Sequence, residues 1–124
     1  MARIRTMKPS MWGSFDVSKL SLHSRLLFCG LITMADDDGR FLASSNAILG
    51  HVYPNDDRIT PAQVQRWLNE TARDDEPVHL YEVSGVRYGC MPKWHKHQKI
   101  NRYTPSILPS PAVFCVPRGG AGEP

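Results

Sequence analysis

The stretch "TPAQVQRWLNETARDDE", residues 60–76, contains the clearest helix pattern of the chain. Thr60 is typical of an N-cap, Pro61 suits the first helical position, and Gln63 three residues after the cap completes the form of a capping box. Four residues recur at helical spacing and define an apolar face: Val64, Trp67, Leu68 and Thr71. The stretch therefore predicts a helix with one side in a core and the other in solvent.

The opposite side of this helix is polar and partly cationic. Its candidate DNA-contacting residues are Gln63, Arg66, Asn69 and Arg73. Guanidinium groups match guanine edges or phosphates, and side-chain amides match adenine. Glu70 and the acids after it indicate that only part of this side would meet DNA. Any solvated surface helix can show the same pattern, so the helix alone leaves both interpretations open.

Upstream, the sequence predicts two helices separated by a short strand. Residues 18–39 are apolar nearly all round and predict a buried first helix, ended by the turn Asp38-Gly39. "RFLAS", residues 40–44, predicts a small strand or an extended connector. "SSNAILGHVYP", residues 44–54, predicts a second helix capped by Ser44 or Ser45.

Downstream, "VHLYEVSGVRYGCMP", residues 78–92, has two strand-like runs around Ser84-Gly85 and predicts a β-hairpin. Helix, short strand, helix, helix, hairpin is the order of a winged helix-turn-helix. The predicted fold class is therefore α+β, mainly α, with three helices and a hairpin wing. In that architecture the third helix can enter the major groove while the wing touches the neighbouring backbone.

Charge is distributed unevenly along the 124 residues. Residues 1–15 carry +3, residues 16–82 carry −5 and residues 83–124 carry +5. Cationic ends around an acidic middle are typical of polyanion binding. The predicted organisation begins with a basic N-terminal arm (1–15) and a winged-helix domain (16–92). A basic C-terminal extension, which we call the basic segment (93–104), and a Pro/Gly-rich tail (105–124) that is extended or disordered follow.

The basic segment and the arm supply further candidate DNA contacts. Cations recur every three residues after the hairpin and follow one in the wing: Arg87, Lys93, Lys96, Lys99 and Arg102. Each neutralised phosphate would release counterions, so affinity should fall with salt. Trp94 could stack on a base or cover the core, and the core is favoured. Arg3 and Arg5 could lie in a minor groove, or belong to a strand or cap with Ile4 buried and both arginines solvated.

Catalysis and metal binding have little support in the sequence. His95 and His97 could ligate a metal with Cys90 or an Asp, but without a second close ligand pair the motif is weak. Asp36, Asp37 and Asp38 could hold magnesium in a nuclease, although acids beside a glycine are usual turn chemistry. The chain is expected to be no enzyme and to need no cofactor. Without a long apolar run or signal peptide, it is expected in the cytoplasm, with no membrane partner.

Three stretches together resemble a known family: "MARIRTMKP" at the start, "RLLFCGLITMADDDGR" at residues 25–40, and "VRYGCMPKWHKHQKINRYTPSILP" at residues 86–109. The sequence is similar to the N-terminal domain of bacteriophage replication-initiation or replisome-organiser proteins. This resemblance covers roughly residues 1–109. It implies a winged-helix fold that binds duplex DNA at a replication origin, without catalytic activity.

The resemblance also implies that the basic run contacts DNA, through Lys93, His95, Lys96, His97, Lys99 and Arg102. Many relatives continue into a region thought to recruit a replicative helicase or loader, whereas this sequence ends at Pro124 in a Pro/Gly tail. The expected function is sequence-specific binding of double-stranded DNA in phage replication initiation. A phage transcriptional regulator, or a protein-interaction adaptor on the same fold, is the alternative. The oligomeric state stays open.

Overall fold

The computed structural model describes residues 3–111, which form an α+β arrangement with five α-helices and one three-stranded antiparallel sheet. A 3-10 turn, Pro9–Gly13, comes first. The helices are α1 (Phe15–Ser18), α2 (Leu22–Met34), α3 (Ser45–Val52), α4 (Pro61–Thr71) and α5 (Trp94–His97). The strands are β1 (Arg40–Leu42), β2 (His79–Val83) and β3 (Val86–Cys90). The predicted α+β class is confirmed, and most of the predicted tail, residues 112–124, lies outside the described residues.

The start and the buried face of helix α4 form as the sequence predicts, but the helix ends at Thr71, so Arg73 lies in the turn after it and not on its polar face. The Thr60 hydroxyl accepts from the backbone N–H of Gln63, and the Gln63 side chain accepts from the backbone N–H of Thr60 at 2.9 Å. These two bonds satisfy donors that a helix start leaves unpaired. All four residues of the predicted apolar face, Val64, Trp67, Leu68 and Thr71, are buried.

Helix α2 is shorter and less buried than expected. The Ser21 hydroxyl accepts from the backbone N–H of Ser24, and this N-cap sets the helix start at Leu22. The helix contacts α3 and α4, and its buried side carries the core residues Leu27, Phe28, Leu31 and Ile32. Leu22 and Leu26 on the other side are 75% and 54% exposed. The expectation of a helix buried all round is wrong, because its two partner helices cover one side only.

The sheet has the order β1-β3-β2, so that β3 lies in the middle. Phe41 of β1 pairs with Gly89, and Tyr81 of β2 pairs with Tyr88. Ser84 and Gly85 both have positive φ, 53° and 80°, the backbone that a two-residue hairpin turn requires. The predicted short strand and hairpin are confirmed.

Three successive aspartates, residues 36–38, form a turn between α2 and β1 that we call the acidic turn. The Asp36 carboxylate accepts from the backbone N–H groups of Asp38, at 2.9 Å, and Arg40, at 3.0 Å. The end of the described chain lies against this turn, where the Ser106 N–H donates to Asp38 at 2.9 Å. Residues 105–111 form no helix or strand, and hydrogen bonds join them to the sheet and the acidic turn.

Among residues 3–111, no helix combines the length and the apolar character needed to cross a bilayer.

Candidate nucleic-acid interface

The solvent-facing side of α4 exposes Arg66 and Asn69, and Arg73 is exposed in the turn that follows the helix. Within residues 3–111, neither arginine has an ion-pair partner, so both guanidinium groups are available to an external anion. The Asn69 carboxamide oxygen accepts from the Gln65 amide at 2.9 Å. The Gln63 oxygen is used in the helix cap. The two arginines are thus the freest groups of the predicted α4 set.

Glu70 lies near the end of α4, between these arginines in the sequence, and bonds to the start of α2. Its carboxylate accepts from the Ser21 N–H at 2.8 Å, the Ser21 hydroxyl at 2.9 Å and the Ser24 hydroxyl at 2.5 Å. Burial alone would raise the pKa of the Glu70 carboxyl, but these bonds and nearby Arg73 lower it below its ordinary value. The carboxylate therefore stays ionised and serves the α2–α4 contact.

The hairpin carries Arg87, which is exposed on β3. Its cross-strand partner in the register is Glu82 of β2. A carboxylate directly opposite reduces the local positive charge of the wing. Arg87 is therefore a candidate for one phosphate contact, without further cations beside it on the hairpin strands.

The basic segment divides into internal and external side chains. Lys93 makes ion pairs with Asp16 at 3.1 Å and Glu76 at 2.8 Å. Trp94 is buried, and its indole N–H donates to the Asp37 carbonyl at 2.9 Å. The prediction that Trp94 covers the core is confirmed. The Lys93 ammonium binds two acids of the protein itself.

The remaining residues of the basic segment also divide into one that faces the protein and several that face solvent. His95 is three-quarters buried, with its Nε2 3.4 Å from a carboxylate oxygen of Asp38. Lys96, Lys99 and Arg102 are exposed and make no ion pair within the described chain. Three of the four regularly spaced cations are thus free, and the imidazole of His95 faces the acidic turn.

The two arginines of the N-terminal arm are bound inside the protein. Arg3 and Arg5 contact the two carboxylate oxygens of Asp37 at 2.7 and 2.9 Å. The Arg5 side chain is only 3% exposed and stacks over the Trp94 ring at 5.1 Å, whereas Ile4 is fully exposed. The interpretation with Ile4 buried and both arginines solvated is wrong, because the acidic turn binds the guanidinium groups and the arm runs with Ile4 outward. The minor-groove interpretation stays a prediction.

The acidic turn uses its carboxylates for hydrogen bonds and ion pairs. Besides the arginines, the Thr104 N–H donates to Asp37 at 2.9 Å, and the Tyr103 hydroxyl donates to Asp38 at 2.7 Å. The Asp36 carboxylate accepts from the Ser106 hydroxyl. Between residues 3 and 111, no three His, Cys, Asp or Glu side chains cluster as metal ligands would. The turn acts as the anchor for both ends of the described chain.

Some of the exposed candidates line two separate surface depressions, whereas Arg87, Lys99 and Arg102 line neither. Arg66, Asn69 and Arg73 line one beside α4, together with Ser21 and His23. Lys93, Lys96 and His97 line another beside α5, and the two share no residue. Lys8 also lines the second depression. It contributes to the positive charge of the arm, but no spacing pattern in the sequence predicts it as a site residue.

Comparison of the chain with protein-family models, curated proteins and solved structures gives no match.

Proposed function

We propose that this chain is a non-enzymatic winged-helix protein that binds double-stranded DNA sequence-specifically through α4. The observation that carries the proposal is Arg66, exposed without an ion-pair partner on the solvent side of a well-capped helix, with a second exposed arginine, Arg73, just after the helix ends. The element order supports it, because α2, β1, α3, α4 and the β2–β3 hairpin follow one another as in winged helices. In such folds the third helix of this series enters the major groove.

The contacts of the described residues reduce the proposed DNA-binding set. Arg66, Asn69 and Arg73 would meet base edges and adjacent phosphates, and Arg87 would meet the backbone. Three further phosphate contacts would come from the basic segment: Lys96, Lys99 and Arg102. Arg3, Arg5, Lys93 and His95 leave the set because they contact acids of the protein itself. Gln63 and His97 also leave the set, because the Gln63 side-chain oxygen serves the helix cap and His97 lies beside three lysines.

The biological role proposed is phage replication initiation in the host cytoplasm, by origin recognition. It rests on the resemblance of the three quoted stretches to replication-initiation proteins, and transcriptional control is the alternative for the same DNA-binding surface. The exposed Leu22 and Leu26 of α2 favour a second candidate, a protein-interaction adaptor. A replicative helicase or loader would be the partner for such a surface during initiation.

The test is selection of a preferred duplex from a random pool, followed by fluorescence anisotropy on that duplex and a scrambled one. Arg66→Ala should weaken the preferred duplex by about 1–3 kcal/mol and reduce the preference between the two. Arg58→Ala is the matched control, since Arg58 is exposed in the loop before α4 and pairs with Asp56. Absence of duplex binding at low salt would overturn the proposal, and an unchanged preference in Arg66→Ala would exclude α4 as the recognition helix.

A further inference from the structure

A cavity of about 290 Å³ lies between the N-terminal chain and the start of the basic segment. Residues 6–17 form one wall, residues 91–98 form the other, and α2 contributes the floor. The apolar lining includes Met11, Val17, Phe28, Ile32, Met91 and Trp94. Small-molecule sites are concave, largely apolar and start at about 300 Å³, so the cavity has the size for a compact ligand.

The rim of this cavity carries more positive than negative charge. Lys8, Lys93 and Lys96 line it, against Asp16 and Glu76. Both acids pair with Lys93, at 3.1 and 2.8 Å, whereas Lys8 and Lys96 make no ion pair within the described residues. Three lysines against two acids leave the rim with a net charge of +1. The Lys8 ammonium donates to the backbone carbonyl of Lys96 at 3.1 Å and therefore lies beside the residue that carries the other lysine side chain.

His97 lines the same cavity, close to these lysines. Burial lowers the pKa of the His97 imidazole below its ordinary value, and the ammonium groups of Lys8, Lys96 and Lys93 lower it further. A neutral imidazole adds no charge, and the net positive charge of the rim, with Lys8 and Lys96 outside any ion pair within the described residues, suits an anionic group.

The wall facing α5 is fixed by reciprocal hydrogen bonds between Thr6 and the segment after α5. The Thr6 N–H donates to the Gln98 side-chain oxygen at 3.1 Å, and the Gln98 amide donates to the Thr6 carbonyl at 2.8 Å. The Thr6 hydroxyl also donates to the His97 carbonyl at 3.1 Å. A wall held in this way makes the cavity preformed, which reduces the ordering cost of binding.

We propose that this cavity binds a small amphipathic anion: a ring or short aliphatic group that carries a sulfonate, carboxylate or phosphate. The apolar part would displace water from the methionine and aromatic lining, and the anionic part would meet Lys8 and Lys96. A DNA phosphate alone would leave the apolar lining unfilled, and a neutral ligand would leave the two ammonium groups without a counter-charge. The inference does not depend on DNA binding by α4, whose depression shares no residue with this cavity.

The experiment titrates the full chain with 8-anilinonaphthalene-1-sulfonate and, in parallel, with N-phenyl-1-naphthylamine, the same ring system without the sulfonate. We expect one sulfonate probe per chain, and affinity for the neutral analogue at least about fivefold lower. Lys96→Met should weaken the sulfonate probe by about fivefold and leave the neutral analogue unchanged. Lys99→Met is the matched control, since Lys99 belongs to the same segment but does not line the cavity.

Location is tested by the ¹H–¹⁵N spectrum of the same samples. The indole signal of Trp94, which lines the cavity, should shift on binding, while that of Trp67 on α4 should not. Equal affinity of both probes, equal affinity in Lys96→Met and Lys99→Met, or displacement of the probe by inorganic sulfate at similar concentration would each overturn the proposal. Loss of duplex binding in Arg66→Ala would have no bearing on these measurements.

Discussion

Asp37 connects two distant parts of the chain through one buried carboxylate. It binds Arg3 and Arg5 of the N-terminal arm and the backbone N–H of Thr104, while its own carbonyl accepts from the Trp94 indole. Burial would raise the pKa of Asp37, but these hydrogen bonds and the two guanidinium groups lower it below the ordinary value. The ionised form is therefore the one that the fold stabilises.

Asp37→Asn should destabilise the protein by about 3 kcal/mol, because it leaves the buried Arg5 guanidinium without its counter-charge. Urea denaturation followed by circular dichroism measures the change. Asp57→Asn is the matched control, since Asp57 is an exposed aspartate. A loss below about 0.5 kcal/mol in Asp37→Asn, the level of an ordinary surface substitution, would contradict the role assigned to the carboxylate.

The same group predicts a pH dependence with a definite sign. The folded-state pKa of Asp37 lies below the unfolded value of about 3.9, so its stabilisation is fully present above that pH. It is lost as the pH falls through the folded pKa. The stability difference between the unsubstituted protein and Asp37→Asn should therefore shrink below about pH 4. The sequence predicted the acidic turn itself, but not its binding of Arg3 and Arg5, because a contact across more than thirty residues has no local pattern.

Among the elements, the best predicted were those that local chemistry determines. The capping box of α4 and the Ser84-Gly85 hairpin follow from residues within a few positions of one another. The exposure of Leu22 could not be predicted in this way. An apolar residue on a helix is buried only where another element covers it, and α3 and α4 leave that side of α2 open.

The packing of β1 on β3 supplies a prediction at the scale of the element. A Cβ atom added at Gly89 would lie 2.3 Å from Cζ of Phe41, whose buried ring lies across the central strand. Gly89→Ala should therefore destabilise the sheet by about 2 kcal/mol through overpacking. In the control, Gly50→Ala on α3, the added atom meets nothing within 4 Å. That change should stabilise by about 0.5–1 kcal/mol through helix propensity. Equal thermal midpoints for the two variants would contradict the Phe41–Gly89 contact.

For the whole molecule, the acidic middle of the sequence neutralises part of both cationic ends. Asp37 binds the two arginines of the arm, and Asp16 and Glu76 bind Lys93. The uneven charge distribution predicted polyanion binding, and nine of the predicted DNA-contacting residues are lysines or arginines. The structure leaves six of these without ion pairs inside residues 3–111, and sequence spacing could not separate the two groups because the pairing partners are distant in the chain.

This division predicts the salt dependence of the proposed DNA binding. With six phosphate contacts at most, log K should fall against log[salt] with a slope no steeper than about −5, whereas nine contacts would give about −8.

Lys99→Gln should reduce the slope by about 0.9, because Lys99 has no acid partner among the described residues. Lys93→Gln, a change of the same charge in the same segment, should leave the slope unchanged, since its ammonium already pairs with Asp16 and Glu76. Anisotropy of a labelled duplex over a series of KCl concentrations measures the slope for the unsubstituted protein and for each of the two variants. Equal slope changes in the two variants would show that the internal ion pairs open on DNA, and a flat dependence would remove DNA binding itself.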